Sequence, residues 1–252
     1  MAEKKVAIVT GGASGIGKEI SCKLAEDGLH VIIVDRDEEE TNKVVEMLRG
    51  KNFLASGIPI DISDKNSVEA AFAKIDEQYG RCDVLVNNAG IAKTFSFIDY
   101  PLDNWQLTMN VNLTGALLMT QRAAQLMVKH QWGRIINMAS AAGVRAGRGR
   151  TAYGTSKAAL IGLTRQMAIE LAPFGVTANS LAPGPIETPL VAKLHSAETR
   201  ATYTKMVPMN RYGTPVEVAS VVSFLASDAA SYVTGVMIPV DGGFVAAGLL
   251  EI

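Results

Sequence analysis

Thr10-Gly11-Gly12-Ala13-Ser14-Gly15-Ile16-Gly17 is the stretch from which the fold can be read. It follows an apolar, β-branched run at residues 5–10 and leads into a segment of helical period at 15–27, after which a second apolar run fills 30–35. Strand, glycine turn, helix and strand in that order make a βαβ unit. Glycines at the first junction allow a tight turn and let the backbone approach a pyrophosphate, to which the helix amino terminus offers free N–H groups and a favourable dipole. Gly11, Ser14, Gly15, Ile16 and Gly17 are therefore candidate cofactor contacts. Their spacing departs from the general dinucleotide fingerprint, so position carries more weight than pattern.

The alternation continues along the chain. Further strands are expected at 54–60, 83–87, 133–138, 176–181 and 236–240, with amphipathic helices at 38–48, 65–79, 105–129, 153–172 and 216–226. Near-continuous apolar strands imply a sheet covered on both faces by helices. The expected fold is α/β: one Rossmann-type, doubly wound, mostly parallel seven-stranded sheet. No linker, repeat or low-complexity stretch divides residues 1–252, which read as a single domain. The long irregular region at 182–211 follows the carboxyl end of a strand, where ligands bind in such sheets, and reads as a substrate flap around 183–211.

Composition excludes several partners. The 24 basic and 25 acidic residues leave no electrostatic footprint for nucleic acid or an anionic membrane surface. Every apolar run is interrupted before the ~20 residues that span a bilayer, and residues 1–6 enter the first strand with no signal-peptide apolar region, so a cytoplasmic protein is expected. Cys22 and Cys82 are far apart and read as reduced, packed thiols. His30, His130 and His195 form no ligand cluster, and no metal site is proposed.

Asp35 ends the second strand. A carboxylate there accepts hydrogen bonds from both adenosine ribose hydroxyls and repels a 2′-phosphate, which favours NAD over NADP. Arg36 beside it can stack on adenine or meet a phosphate, and the alternative for Asp35 is a cap on the helix that begins near Glu38. Asp61 either reaches the adenine amino group or caps the helix near Lys65.

Tyr153-Gly154-Thr155-Ser156-Lys157 places a phenol and an amine at i and i+4, on one helix face. A cation held beside a phenol favours its ionised form and makes a usable acid/base near neutral pH. A surface pair on an ordinary helix is the alternative reading of the pentapeptide alone.

Over nearly its whole length the sequence resembles the short-chain dehydrogenase/reductase family. The likeness is carried, in order, by the glycine turn, Asn87-Asn88-Ala89-Gly90, Asn112 within Asn110-Val111-Asn112-Leu113, Ser140, the Tyr153/Lys157 pair and Pro183-Gly184. It implies that Tyr153 donates and accepts the proton and that Ser140 bonds the substrate oxygen. Lys157 would bind the nicotinamide ribose while activating the tyrosine, and Asn112 would hold a water linking Lys157 to solvent. For Ser140 the competing reading is a strand-end turn residue, and for Asn112 a polar group satisfied locally. Ile62, Asn88, Ala89, Gly90, Pro183 and Gly184 would border the cofactor, with the Ile186 backbone at the carboxamide and Thr188 near the phosphates. The expected activity is hydride transfer between NAD(H) and a secondary alcohol or ketone: a polyol, sugar, cyclic alcohol or hydroxy acid.

The resemblance implies that substrate preference is set mainly in the segment after the serine and in the flap. Here Arg145, Arg148 and Arg150 fall within six residues, suited either to an anionic substrate in the pocket or to solvent and subunit contacts. An NADP-dependent 3-oxoacyl-(acyl-carrier-protein) thioester reductase is the rival assignment. It is weakened by Asp35 and by Phe174, which stands where a basic docking residue is common, although Lys129 and His130 remain as part of a docking patch. A non-catalytic dinucleotide-binding regulator is disfavoured because Ser140, Tyr153 and Lys157 are all present. The apolar segments 158–171 and 236–252 resemble the family's subunit surfaces and imply a homotetramer, unless they are core.

Overall fold

The computed structural model describes residues 4–248; the last four residues of the 236–252 segment lie outside the described residues, as do 1–3. Seven strands are present: β1 (Val6–Thr10), β2 (His30–Asp35), β3 (Ala55–Pro59), β4 (Val84–Asn87), β5 (Gly133–Met138), β6 (Val176–Pro183) and β7 (Met237–Val240). They form one sheet in the order β3-β2-β1-β4-β5-β6-β7, and every pairing is parallel. Every residue of β1, β4, β5 and β6 is buried, as expected for strands covered on both faces, whereas edge strand β3 alternates.

Two apolar layers hold the helices. On one face α1 (Gly15–Glu26), α2 (Glu38–Gly50) and α9 (Pro215–Ala226) pack Ile20, Leu24, Val44, Leu48, Val218 and Val222 against alternate strand residues such as Val9, Ile33 and Val86. On the other, α3 (Lys65–Tyr79), α5 (Gly115–His130) and α6 (Thr151–Leu171) contribute Phe72, Ile75, Met119, Leu126 and Met167 against Ile8, Leu85 and Ile135. One face of the 158–171 segment thus serves as core: Leu160, Ile161, Thr164, Met167 and Ala168 are buried, while Ile169 is exposed.

The structure differs from expectation in two elements. The helix expected at 105–129 is α4 (Leu102–Met109), a π-helical turn (Asn110–Thr114) and then α5; hydrophobic period does not reveal one extra residue per turn. Region 182–211 is not irregular. It finishes β6 and then forms α7 (Pro189–Leu194) and α8 (Ala197–Met206). Thr188 accepts from the Val191 N–H and Pro189 occupies the first helical position, while Ser196 accepts from Thr199 N–H, so these helices are started by caps. None of the residues of α8 is buried, which is why it leaves no apolar stripe in the sequence.

Candidate active site

A cleft of about 590 Å³ opens at the carboxyl ends of the strands, where the order reverses between β1 and β4. All the candidate catalytic and cofactor residues except Asn112 line it.

At one end lies the glycine turn. Gly11 (φ +61°) and Gly15 (φ +52°) adopt left-handed conformations, and Gly11 N–H donates to the Val34 carbonyl at 2.7 Å. Asn88 clamps the turn from β4: its Nδ2 donates to the Thr10 and Gly11 carbonyls, both at 3.0 Å, and its backbone N–H and that of Ala89 donate to Thr10 Oγ1. Ser14 is the N-cap of α1 but makes no side-chain cap, so it leaves the first-turn N–H groups to another acceptor.

Asp35 accepts from the Ala13 N–H and the Asp37 N–H, each at 3.3 Å. It does not cap the next helix. Asp37 does, accepting from Glu40 N–H, and Asp64 rather than Asp61 caps α3. Asp61 instead binds the Ser63 hydroxyl and N–H at 2.6 and 2.9 Å, which with the nearby Arg36 charge holds its carboxyl below the usual range.

The other end is assembled on α6. Gly149 (φ +74°) reverses the chain so that the helix begins immediately afterwards. Lys157 is buried, and its Nζ donates to the Met138 carbonyl at 2.6 Å while lying 5.8 Å from the Tyr153 ring centroid. Ser140 leads the short 3-10 turn Ala141–Gly143 and accepts from the Ala142 N–H. That turn rests on α6: a Cβ on Gly143 would meet the Lys157 backbone at 2.8 Å, and one on Gly154 the Ala142 carbonyl at 3.0 Å. Close packing of two backbones therefore brings Ser140, Tyr153 and Lys157 to one wall. Asn112 sits behind it, in the π-helical turn. Its Oδ1 accepts from Ile91 N–H at 2.8 Å, and its Nδ2 donates to the Ile91 carbonyl and to Ser156 Oγ.

Burial pushes the Lys157 ammonium down to about 8 from 10.5. Between those two values the unfolded chain binds more protons than the folded one, so stability rises with pH across the window and is lost as pH falls through about 8. The shift corresponds to at most about 3 kcal/mol. Lys157→Met removes this slope: in cofactor-free urea denaturation, the variant is expected to gain on the wild type as pH is lowered from about 10 to about 7. A pH-independent difference would mean that solvent reaches the amine in the free enzyme.

Several wall residues gave no signal in the sequence. His195, Tyr203 and Met206 come from the flap, Phe244 follows β7, Leu107 belongs to α4 and Val111 to the π-helical turn. His195 packs, as expected, stacking on Tyr203 at 5.1 Å with Nδ1 3.0 Å from the Tyr212 hydroxyl, but it also faces the cleft. Burial, followed by the Arg150 and Arg200 charges, disfavours its protonation.

The family profile described as Enoyl-(Acyl carrier protein) reductase matches residues 11–245. The 3-oxoacyl-(acyl-carrier-protein) reductase of Aquifex aeolicus is 42% identical over 95% of this chain and 96% of its own. The NAD-dependent glycerol dehydrogenase of Listeria innocua is 38% identical over 95% and 93%. The chain belongs to the short-chain dehydrogenase/reductase family. A solved member, a gluconate 5-dehydrogenase from Burkholderia cenocepacia in complex with NADP and tartrate, superposes with a TM-score of 0.93 at 34% identity, covering 97% of this chain and 96% of the other. As a short-chain dehydrogenase/reductase, the protein is an NAD(P)-dependent oxidoreductase of hydroxyl and keto groups. The residues present suit such a dinucleotide: left-handed glycines, an uncapped helix amino terminus and a carboxylate at the end of β2 lie along one wall. Among the described residues no helix is long and apolar enough to cross a membrane.

Proposed function

We propose that this protein is an NAD-linked dehydrogenase that interconverts a small secondary alcohol and its ketone. The observation that carries the cofactor choice is Asp35: with Asp37 serving as the helix cap, its carboxylate lines the adenosine end of the cleft beside the glycine turn. There it accepts the ribose hydroxyls and opposes a 2′-phosphate. Gly11, Ser14, Gly15, Ile16 and Gly17 would hold the pyrophosphate, and Ile62, Asn88, Ala89 and Gly90 the adjoining wall. Pro183, Gly184, Ile186 and Thr188 would border the nicotinamide half.

The bound cofactor supplies or accepts hydride. The chain's own groups handle the proton and the placement. Tyr153 passes a proton to or from the carbinol oxygen, and Ser140 donates a hydrogen bond to the same oxygen as charge develops on it. Lys157, held by the Met138 carbonyl, binds the ribose and favours negative charge on the phenol. Asn112 acts as a positioning residue, tying the Ile91 loop to α6 through Ser156. Both of its amide hydrogens are engaged, so a relay water would use its carbonyl groups. Homotetramer assembly belongs to the same reading and is supported by exposed Leu117, Ile169 and Phe174.

A second reading, NADP-linked reduction of 3-oxoacyl thioesters on a carrier protein, is favoured by the carrier-protein reductases among the relatives. Against it, Lys129 is paired with Asp76 at 3.7 Å, and a half-exposed Phe174 holds the position where a docking base is expected. Initial rates with NAD and NADP across polyols, sugars, cyclic alcohols, hydroxy acids and 3-hydroxyacyl thioesters separate the two. Turnover with NAD on an alcohol supports the first reading; activity confined to NADP and thioesters replaces it with the second. Asp35→Ala is expected to shift the NAD/NADP ratio of kcat/KM toward NADP by about 10- to 100-fold, the value of one or two charge-assisted hydrogen bonds. An unchanged ratio would leave Asp35 only its role in holding Ala13.

A further inference from the structure

Three arginines follow Ser140 closely in sequence, and the structure gives each a different position. Arg148 is exposed and lies outside the cleft. Arg145 lines the cleft, but its Nη1 is committed to the Phe244 carbonyl at 2.6 Å and the Ala247 carbonyl at 3.4 Å, with the guanidinium 5.1 Å from the Phe244 ring centroid. It fastens the segment after β7 to the wall. Arg150 remains. It is half-buried, lines the cleft and sits 5.6 Å from the Tyr153 ring centroid, and its guanidinium has neither a hydrogen bond nor an ion pair among the described residues. The absent side chain of Gly147 leaves room for its stem, since a Cβ there would lie 3.3 Å from Arg150 Cγ.

The charge around it is one-sided. Among the described residues, the acidic side chains lining the cleft are Asp35 and Asp61, both at the adenosine end, whereas Arg145, Arg150 and Lys157 line the chemical end. Glu187, on the flap, is already paired with Arg200. Burial, followed by the Arg150 and Arg200 charges, disfavours a positive charge on His195.

We propose that Arg150 is the specificity residue of this cleft: it receives a carboxylate carried by the alcohol itself, so the preferred substrates are small hydroxy acids. The inference rests on the reading of the chain as a secondary-alcohol dehydrogenase. A planar guanidinium matches a carboxylate through two parallel hydrogen bonds, and a site built around such a charge rejects an analogue that leaves it unpaired. The closeness of Arg150 to the Tyr153 ring puts the carboxylate a few bonds from the reacting carbinol, which suits a short molecule.

The test compares matched pairs, an aldonate beside its alditol and a 3-hydroxy acid beside the corresponding 2-alkanol, by kcat/KM with NAD. Both members of a pair use the same Tyr153, so their ratio cancels any effect transmitted through the phenol. The wild type is expected to favour the acid. Arg150→Gln should lower the acid-over-neutral ratio about 100-fold, Arg150→Lys should restore part of it as a point charge, and Arg148→Gln should leave it unmoved. Wild-type preference for the neutral member, or a ratio that Arg150→Gln leaves unchanged, overturns the assignment while the dehydrogenase reading stands. If NAD binds but neither member of any pair is turned over, the dehydrogenase reading fails and this inference fails with it.

Discussion

Tyr153→Phe is expected to lower turnover by about 1,000- to 10,000-fold, the contribution of a positioned proton donor and acceptor, while NADH still binds. The expectation follows from geometry. The phenol shares one wall with Ser140, and a buried amine that donates to the Met138 carbonyl lies 5.8 Å from its ring centroid. The substitution removes one oxygen and leaves the ring that packs beside Arg150 and Lys157, so stability should barely change. Steady-state rates together with NADH fluorescence titration separate loss of chemistry from loss of binding. A variant that stayed active would move the proton to another hydroxyl of the wall, Ser140 or Tyr203.

Gly17→Ala should be as damaging through a different physical route. A Cβ at Gly17 would fall 2.0 Å from the Gly11 carbonyl oxygen and 2.5 Å from Asn88 Nδ2. Neither neighbour can yield cheaply, because the oxygen belongs to the backbone of the turn and the amide is the clamp that holds it. The helix must therefore move away from the turn, at a cost of about 3 kcal/mol, the upper part of the usual range for overpacking. The same displacement pulls the α1 N–H groups away from the pyrophosphate position. Thermal denaturation should report a lowered midpoint, and NADH affinity should fall by about 100-fold or more. Normal affinity would show that the turn tolerates a separation which its hydrogen bonds argue against.

The parts of this site that were legible in the sequence are those in which backbone chemistry demands a residue type. Only glycine fits the left-handed turn, and the i, i+4 rule sets Tyr153 and Lys157 on one face wherever α6 begins. The seven-stranded, mostly parallel sheet followed from apolar runs alternating with helices. Capping was less legible, because Asp35 and Asp37, or Asp61 and Asp64, are equivalent candidates until backbone angles decide which one meets the helix. Flap helix α8 escaped because none of its residues is buried, and the π-helical turn because hydropathy does not register one extra residue. Least visible was the far wall. His195, Tyr203 and Phe244 reach the cleft through tertiary packing that no local pattern encodes, and nothing in Arg145-Ala146-Gly147-Arg148-Gly149-Arg150 says that, among the described residues, only one of the three guanidinium groups lines the cleft with neither a hydrogen bond nor an ion pair.

The clasp of Arg145 on the Phe244 and Ala247 carbonyls joins residues 99 and 102 positions apart. The adenosine end, by contrast, draws mainly on residues 11 to 62 and 88 to 92. During synthesis the residues of the nucleotide wall therefore emerge first, but the α1 helix behind them packs on α9, and the reaction chamber closes only when the segment beyond β7 has left the ribosome.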